Sequence, residues 1–151
     1  MASMQTHHED LKVIVDNTIN YFEEVCGTPA ECGIPYLMNQ EKVLMDYSAI
    51  IGISGIRRGA LLFTAPRPLI RELVEIITAS DSPEEQDLQD MVGEVANTIA
   101  GNARPVLGSE FMISVPVIIR GELLGMQLAQ PASIVPINWN AHQAFLIIGL
   151  E

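Results

Sequence analysis

Basic residues are scarce in this sequence. Its 151 residues include 8 Lys and Arg against 19 Asp and Glu, so the formal net charge is −11. A protein that binds nucleic acid needs a basic surface to displace the counterions of the phosphates. Nucleic acid is therefore not an expected partner, whereas a basic patch on another protein would be attracted.

Long apolar runs are also missing. No run approaches the roughly 20 residues that cross a membrane, and residues 1–10 are polar where a signal peptide would have its hydrophobic centre. We therefore expect a cytoplasmic protein without a membrane anchor. The length fits one domain over residues 1–151, in which residues 1–8 are expected to be a disordered terminus or a tag remnant.

Cysteine and histidine are too few and too scattered for a metal site. Cys26 and Cys32 are separated by five residues, and His142 stands far from His7 and His8. Neither a C-x-x-C pair nor a His cluster with zinc spacing is present. We expect reduced thiols, a structural role for His142, and neither metal nor cofactor in this chain.

Helical periodicity is strongest in residues 82–103. Ser82 is a good N-cap residue, Pro83 suits the first helical position, and Glu85 would complete a capping box with Ser82. At about 100° per residue, one set of apolar side chains falls on one face, which we predict to be the core face. That set is Leu88, Met91, Val92, Val95, Ile99 and Ala103.

The opposite face of this helix is polar and acidic. Asp87, Asp90, Glu94, Asn97 and Gly101 are spaced three or four residues apart, with Gly93 beside them. Such a face is usually only solvated. Here Asn97 and two glycines stand mid-helix, where they lower helix stability. Glu94 and Asn97 are i, i+3 neighbours, so both side chains can contact the same external group. This combination suits close approach of another backbone.

These residues resemble the signature helix of the CheX/CheC family of chemotaxis phosphatases. Asp90, Glu94 and Asn97 match its pattern of Asp or Ser, three residues, Glu, two residues and Asn, and the single copy resembles CheX. Pro116 is the natural match for the family's following proline, although it comes about one helical turn early. The glycine-rich segment 51–55 and the order of elements agree with the resemblance.

The resemblance implies a function and assigns roles to these residues. It implies a phosphatase that acts on a phosphorylated CheY-type response regulator, with the Mg²⁺ and an essential lysine belonging to the regulator. By position, Asn97 would orient the attacking water, and Glu94 would dock against that lysine. Asp90 would have a supporting role, and Gly93 and Gly101 would support the site or contact the partner. The resemblance also implies a homodimer.

A non-catalytic function competes with this interpretation. The chain could be a dimeric binding module that grips a response regulator or a flagellar-switch component, because one fold serves several functions. The intact Glu94 and Asn97 pair favours the phosphatase. Nucleotide binding is not expected, because the glycines at 52, 55 and 59 match no phosphate-binding pattern. An exposed helix carboxylate is also a poor general base, so Glu94 is not assigned that role.

The remaining patterns predict the fold class. Helices are predicted over 9–26, ended by Gly27, and over 66–79, with Leu69, Ile70, Leu73, Val74, Ile76 and Ile77 on its apolar side. Strands are predicted over 43–54, 60–65, 112–119, 123–128, 134–139 and 144–150, with turns at 56–59 and 138–140 and with Pro116 and Pro136 marking edge or interrupted strands. These blocks favour an α+β fold in which helices cover a largely antiparallel sheet.

Overall fold

A computed structural model describes residues 2–37, 44–55, 58–107, 112–121 and 132–150. The described residues form three helices and eight strands. In chain order these are α1 (Ala2–Cys26), β1 (Glu31–Cys32), β2 (Tyr36–Leu37), β3 (Tyr47–Ser54), β4 (Gly59–Ala65), α2 (Arg67–Thr78), α3 (Glu85–Leu107), β5 (Met112–Ile113), β6 (Val117–Arg120), β7 (Ala132–Trp139) and β8 (His142–Leu150).

All the described strands belong to one antiparallel sheet. The strand order is β1-β7-β8-β4-β3-β5, with β2 also pairing with β7 and β6 also pairing with β3. Neighbouring strands β3 and β4 form a hairpin, as do β7 and β8. The predicted α+β class with a largely antiparallel sheet is therefore confirmed.

The main core lies between one face of the sheet and the helices. Helix α3 packs on β3 and β4 and also contacts α1 and α2. Side chains of alternate strand residues, such as Ile51 and Phe63, meet the apolar stripe of α3, because successive strand residues point to opposite faces. A smaller buried cluster, Leu62, Ala132, Ile134 and Ile147, lies on the other face of the sheet.

Helix α1 begins earlier than predicted. It starts at Ala2 rather than at Glu9, so the backbone of 2–8 is helical where a disordered terminus was expected. These residues include no Gly or Pro that would stop a helix, although their polar character hid the pattern. The predicted end is confirmed: Gly27 has φ 76°, and its N–H donates to the Glu23 carbonyl.

Helix α2 matches its predicted span, with one correction to its apolar side. Leu69, Ile70, Leu73 and Val74 are buried, whereas Ile76 and Ile77 are exposed by 43% and 40%. The buried stripe therefore covers only the first two turns, and the two isoleucines of the last turn are exposed. Ala79 closes the helix in the left-handed conformation.

The start of α3 differs from the prediction. The helix begins at Glu85, and the Glu84 N–H donates to Asp87 Oδ2 at 2.9 Å, so Asp87 provides the backward bond of the cap. Ser82 bonds to Asp81 instead. At the other end the helix continues through Pro105 to Leu107. This is possible because only one interior N–H is lost so close to the terminus.

The strand predictions are confirmed in outline and corrected in detail. Strand β3 starts at Tyr47 rather than at residue 43. The strand predicted over 112–119 is divided into β5 and β6, which confirms the interruption expected from Pro116. Pro136 lies in β7, and the described strands on the outer side of β7 are the two-residue strands β1 and β2, as expected for a position near a sheet edge. The turn before β8 is at Asn140 and Ala141, which both have positive φ, rather than at 138–140.

Two predictions fall partly or wholly on residues that are not described. The strand predicted over 123–128 lies outside the described residues, and so do two residues of the turn predicted at 56–59. Gly59, the last residue of that predicted turn, is the first residue of β4. Gly55, directly after β3, has φ 112°.

Candidate functional site

Helix α3 has the two faces that the sequence predicts. All six residues of the predicted core face are buried, with Val92, Val95 and Ile99 fully inaccessible. Asp90, Glu94 and Asn97 are exposed on the other side. The 3.6-residue period therefore brings these three polar side chains onto one accessible surface.

A shallow groove runs beside this polar face. One wall is polar and comes from α3, and the other is mostly apolar and comes from the segment that joins β5 to β6. The lining residues are Gln89, Asp90, Gly93, Glu94 and Asn97 on the first wall and Ile113, Ser114, Val115, Pro116 and Ile118 on the second. The predicted residues Glu94 and Asn97 are thus brought next to Pro116, the residue matched to the family's proline.

The two glycines of the site have different surroundings. Gly93 is buried, and a Cβ added there would lie 3.0 Å from Ile118 Cδ1 and 3.7 Å from Pro116 Cγ. Its missing side chain makes room for the chain's own second wall. Gly101 is half-buried and has nothing within 4 Å of such a Cβ.

The polar side chains differ in how firmly they are held. Gln86 Nε2 donates to Asp90 Oδ1 at 2.8 Å, one turn apart on the helix. Within the described part of the chain, no side chain or backbone group hydrogen-bonds the Asn97 amide or the Glu94 carboxylate. Both groups therefore face solvent and are available to an external ligand.

The second wall contains a β-bulge. Ile113 pairs with Ile53 and Val117 pairs with Ile50. Between them, Ser114 exchanges two hydrogen bonds with Gly52: its N–H donates to the Gly52 carbonyl at 2.9 Å, and its Oγ accepts from the Gly52 N–H at 2.8 Å.

In the segment between β5 and β6, two residues therefore lie opposite one residue of β3. With Ser114 matched to Gly52, Val115 and Pro116 both lie opposite Ile51, which is the count that defines a bulge. Pro116 has no N–H to lose from the ladder. The backbone break turns Val115 outward, and its side chain is 83% exposed.

An ion-pair cluster lies at the N-terminal end of α3. The Glu85 carboxylate accepts hydrogen bonds from Tyr47 Oη at 2.8 and 2.9 Å and from an Arg67 Nη at 2.8 Å, and Arg120 lies 3.3 Å away. The cluster therefore joins α3 to β3, to β6 and to the start of α2. It fixes the register of α3 against the strand that ends the second wall.

The charges of this cluster shift its titration. Hydrogen bonds from Arg67 and Tyr47 lower the pKa of Glu85, because they stabilise the carboxylate. Burial is the main cause that raises the pKa of Tyr47, and the adjacent Glu85 adds to it. Glu85 therefore stays ionised in the folded protein to a lower pH than an isolated glutamate.

The other residues considered as metal ligands or reactive groups form no further site within the described part of the chain. In the described residues, no three His, Cys, Asp or Glu side chains are grouped so that they could hold a metal ion. Cys26 and Cys32 are free thiols, and burial raises the pKa of each to about 11, which keeps them protonated and unreactive at neutral pH. His142 lies 3.7 Å from Glu72 and beside the Trp139 ring. No helix in the described ranges is long and apolar enough to cross a membrane.

Sequence reasoning missed the second wall of the groove. The pattern of α3 identifies Asp90, Glu94 and Asn97, and Pro116 indicates an interruption in the predicted strand 112–119. Nothing in the sequence, however, assigns Ser114 and Val115 to the groove. The Glu85 cluster was also missed, because its partners come from distant parts of the chain.

Comparison with known proteins identifies a family. The family model described as chemotaxis phosphatase CheX matches residues 47–138, which is more than half of the chain and includes the whole groove. A search of curated proteins found no match.

Solved structures share the fold over nearly the whole chain. The CheX protein of Desulfovibrio desulfuricans is 28% identical, with a TM-score of 0.84 over 95% of this chain and 99% of that one. CheX of Vibrio vulnificus is 22% identical, with a TM-score of 0.83 over 95% and 99%. A Borrelia burgdorferi CheX–CheY complex with BeF₃ and Mg²⁺ is 20% identical to this chain, with a TM-score of 0.76 over 93% and 97%.

Proposed function

The chain belongs to the CheX family, and on that basis we propose that it dephosphorylates a CheY-type response regulator. The observation that carries this proposal is the joint exposure of Glu94 and Asn97 on one face of α3, beside an open groove. A structurally similar CheX was crystallised with CheY, BeF₃ and Mg²⁺, which agrees with a regulator as the partner.

Asn97 is proposed to orient the attacking water. Hydrolysis of an aspartyl phosphate needs a water in line with the leaving oxygen, and most of the catalysis comes from positioning and charge stabilisation. A side-chain amide can both donate to and accept from that water, and it does not titrate. Asn97 is exposed on a helix whose opposite face is buried in the core, which suits a group that must hold a precise position in a partner's site.

Glu94 is proposed to dock against a lysine of the regulator. Its carboxylate stands one turn before Asn97 on the same face, so an ion pair made by Glu94 would place the Asn97 amide near the phosphoryl group. Asp90 is proposed to support this face, since Gln86 already holds its carboxylate. The Mg²⁺ would belong to the regulator, and no cofactor is proposed for this chain.

The charge of the chain supports encounter with a cationic site. With a net charge of −11 and three acidic residues, Asp87, Asp90 and Glu94, along the exposed side of α3, the face attracts a lysine and a metal ion at long range.

We propose a cytoplasmic location and a homodimer as well. Light scattering tests the dimer, and a mass of 16.5 kDa across micromolar concentrations would contradict it.

The direct test is phosphate release from a CheY-type regulator charged with acetyl phosphate. The chain should accelerate the release in proportion to its concentration. If it instead binds the charged regulator without accelerating release, the chain is a binding module and the phosphatase proposal is wrong.

A further inference from the structure

Val115 is an exposed apolar side chain held in a fixed position. Single exposed apolar residues are normal on protein surfaces. Val115 differs because residues on both sides of it are fixed: Ser114 exchanges two hydrogen bonds with Gly52, and Pro116 packs over Gly93. The bulge thus presents an 83% exposed valine on a short, anchored segment.

The position of Val115 connects it to the proposed site. It lines the same groove as Glu94 and Asn97, on the opposite wall. Half-buried Ile113, Pro116 and Ile118 extend the apolar surface on that wall. Bulges commonly stand next to functional sites, where they redirect a side chain. A protein that places a cationic site against Glu94 must also meet this wall.

We propose that Val115 and its apolar neighbours form a second contact surface for the phosphorylated regulator, which fits an apolar patch beside the lysine and the Mg²⁺ of the regulator's phosphorylation site. This inference rests on the proposed function. Its physical basis is that the two walls of the groove contribute differently. The acidic wall contributes attraction and alignment, and the apolar wall contributes burial of apolar surface, which salt does not screen. Burying a valine side chain is favourable in proportion to the apolar area that is removed from water.

A second copy of this chain fits the groove less well. Each copy carries a net charge of −11 and the same acidic wall of Asp90 and Glu94. A symmetric contact through this groove would use the same surface of both copies. It would therefore bring the acidic side chains of both copies into one interface, where like charges oppose association. A regulator with a lysine and a metal ion is instead complementary to the acidic wall.

The sheet provides a matched control at Val117. Its side chain is 60% exposed, and its pairing with Ile50 places it on the sheet face away from the helices, whereas Ile118 faces them with Ala49. Val115→Ser and Val117→Ser therefore make the same chemical change two residues apart. Only the first alters the groove.

The test measures binding to a CheY-type regulator loaded with beryllofluoride and Mg²⁺, together with steady-state dephosphorylation. Val115→Ser should weaken binding and raise KM by about tenfold, with kcat unchanged. The loss should be the same at low and high salt, and Val117→Ser should stay within about twofold of wild type. Both variants should have the same melting temperature as the wild-type protein.

Other results would overturn the inference. Equal affinity of Val115→Ser and wild type, or a fall in kcat at unchanged KM, excludes the apolar contact. A change of molecular mass with unchanged regulator affinity would assign the groove to contacts between copies. Absence of phosphate release by wild type refutes only the phosphatase proposal, because Val115 is still judged on binding. If wild type neither binds nor hydrolyses, both proposals are wrong.

Discussion

Gly93 lies so close to Ile118 that a Cβ at residue 93 would stand 3.0 Å from Ile118 Cδ1. The central helix and the strand after the bulge therefore meet through a missing side chain. This contact sets the depth of the groove and brings Pro116 and Val115 up to the polar face of α3. Gly93 is thus a packing residue of the site.

The two glycines of α3 should respond differently to alanine. Gly101→Ala should stabilise the protein by roughly 0.5–1 kcal/mol, because helix propensity improves and the new Cβ meets nothing within 4 Å. Gly93→Ala should gain less, or lose stability, since Ile118 must move. Urea unfolding of both variants measures this difference. An equal gain at the two positions would show that Ile118 does not restrict residue 93.

Replacing Asn97 should damage turnover more than binding. Asn97→Ala removes a group that acts on the attacking water, so kcat should fall by about 10²-fold or more, on the order of 3 kcal/mol. Binding to a regulator that carries an unreactive phosphoryl mimic should stay near wild type. Single-turnover phosphate release and equilibrium binding check the two parts. Full activity of Asn97→Ala would favour the binding-module alternative.

Replacing Glu94 should instead weaken binding. Its proposed ion pair forms before the chemical step, so Glu94→Ala should lose roughly 1–3 kcal/mol of affinity for the mimic-loaded regulator. Because exposed charges are screened by salt, the wild-type association rate should fall as salt rises, and the variant should be less sensitive. Stopped-flow binding at several salt concentrations measures both. A variant with wild-type affinity and salt dependence would remove Glu94 from the interface.

An aspartate on the core face of α3 should unfold the domain. Val95 is fully inaccessible, so Val95→Asp would bury a charge without a partner, which costs several kcal/mol. Asn97→Asp introduces the same side chain two residues away on the exposed face and should fold normally. Circular dichroism and thermal melting distinguish the two. A folded Val95→Asp protein would contradict the orientation of the helix.

The Glu85 cluster should make stability depend on pH. Because the pKa of Glu85 is lower in the folded state than its ordinary value, its contribution is complete above that ordinary value and is lost as the pH falls through the folded-state pKa. Glu85→Gln should therefore be less stable than wild type at neutral pH, by a small amount for so exposed a cluster, and equally stable in acid. Denaturant unfolding across this pH range tests it. A difference that is independent of pH would rule out the ion pairs as its source.

Local periodicity was enough to find half of the site. The spacing of Leu88, Val92 and Val95 against Asp90, Glu94 and Asn97 fixes which side of α3 is buried, because every helix turns by the same angle per residue. The hairpin of β3 and β4 and the antiparallel class followed from similar short-range patterns. Helix ends were less certain: Asp87 rather than Glu85 makes the backward capping bond, and either acid could have done so from its sequence position.

The other half of the site depends on contacts between distant residues. Ser114 and Gly52 are 62 positions apart, and Tyr47 and Glu85 are 38 apart. The local sequence pattern of a strand does not predict which residue of the neighbouring strand lies opposite each of its own residues, since register is set when whole elements pack. The sequence by itself therefore determined the polar face that carries Glu94 and Asn97. Only the tertiary structure decided that a bulge would place Val115 across from it. The pairing of β5 and β6 with β3 leaves one extra residue in the segment between β5 and β6, and this extra residue forms the bulge.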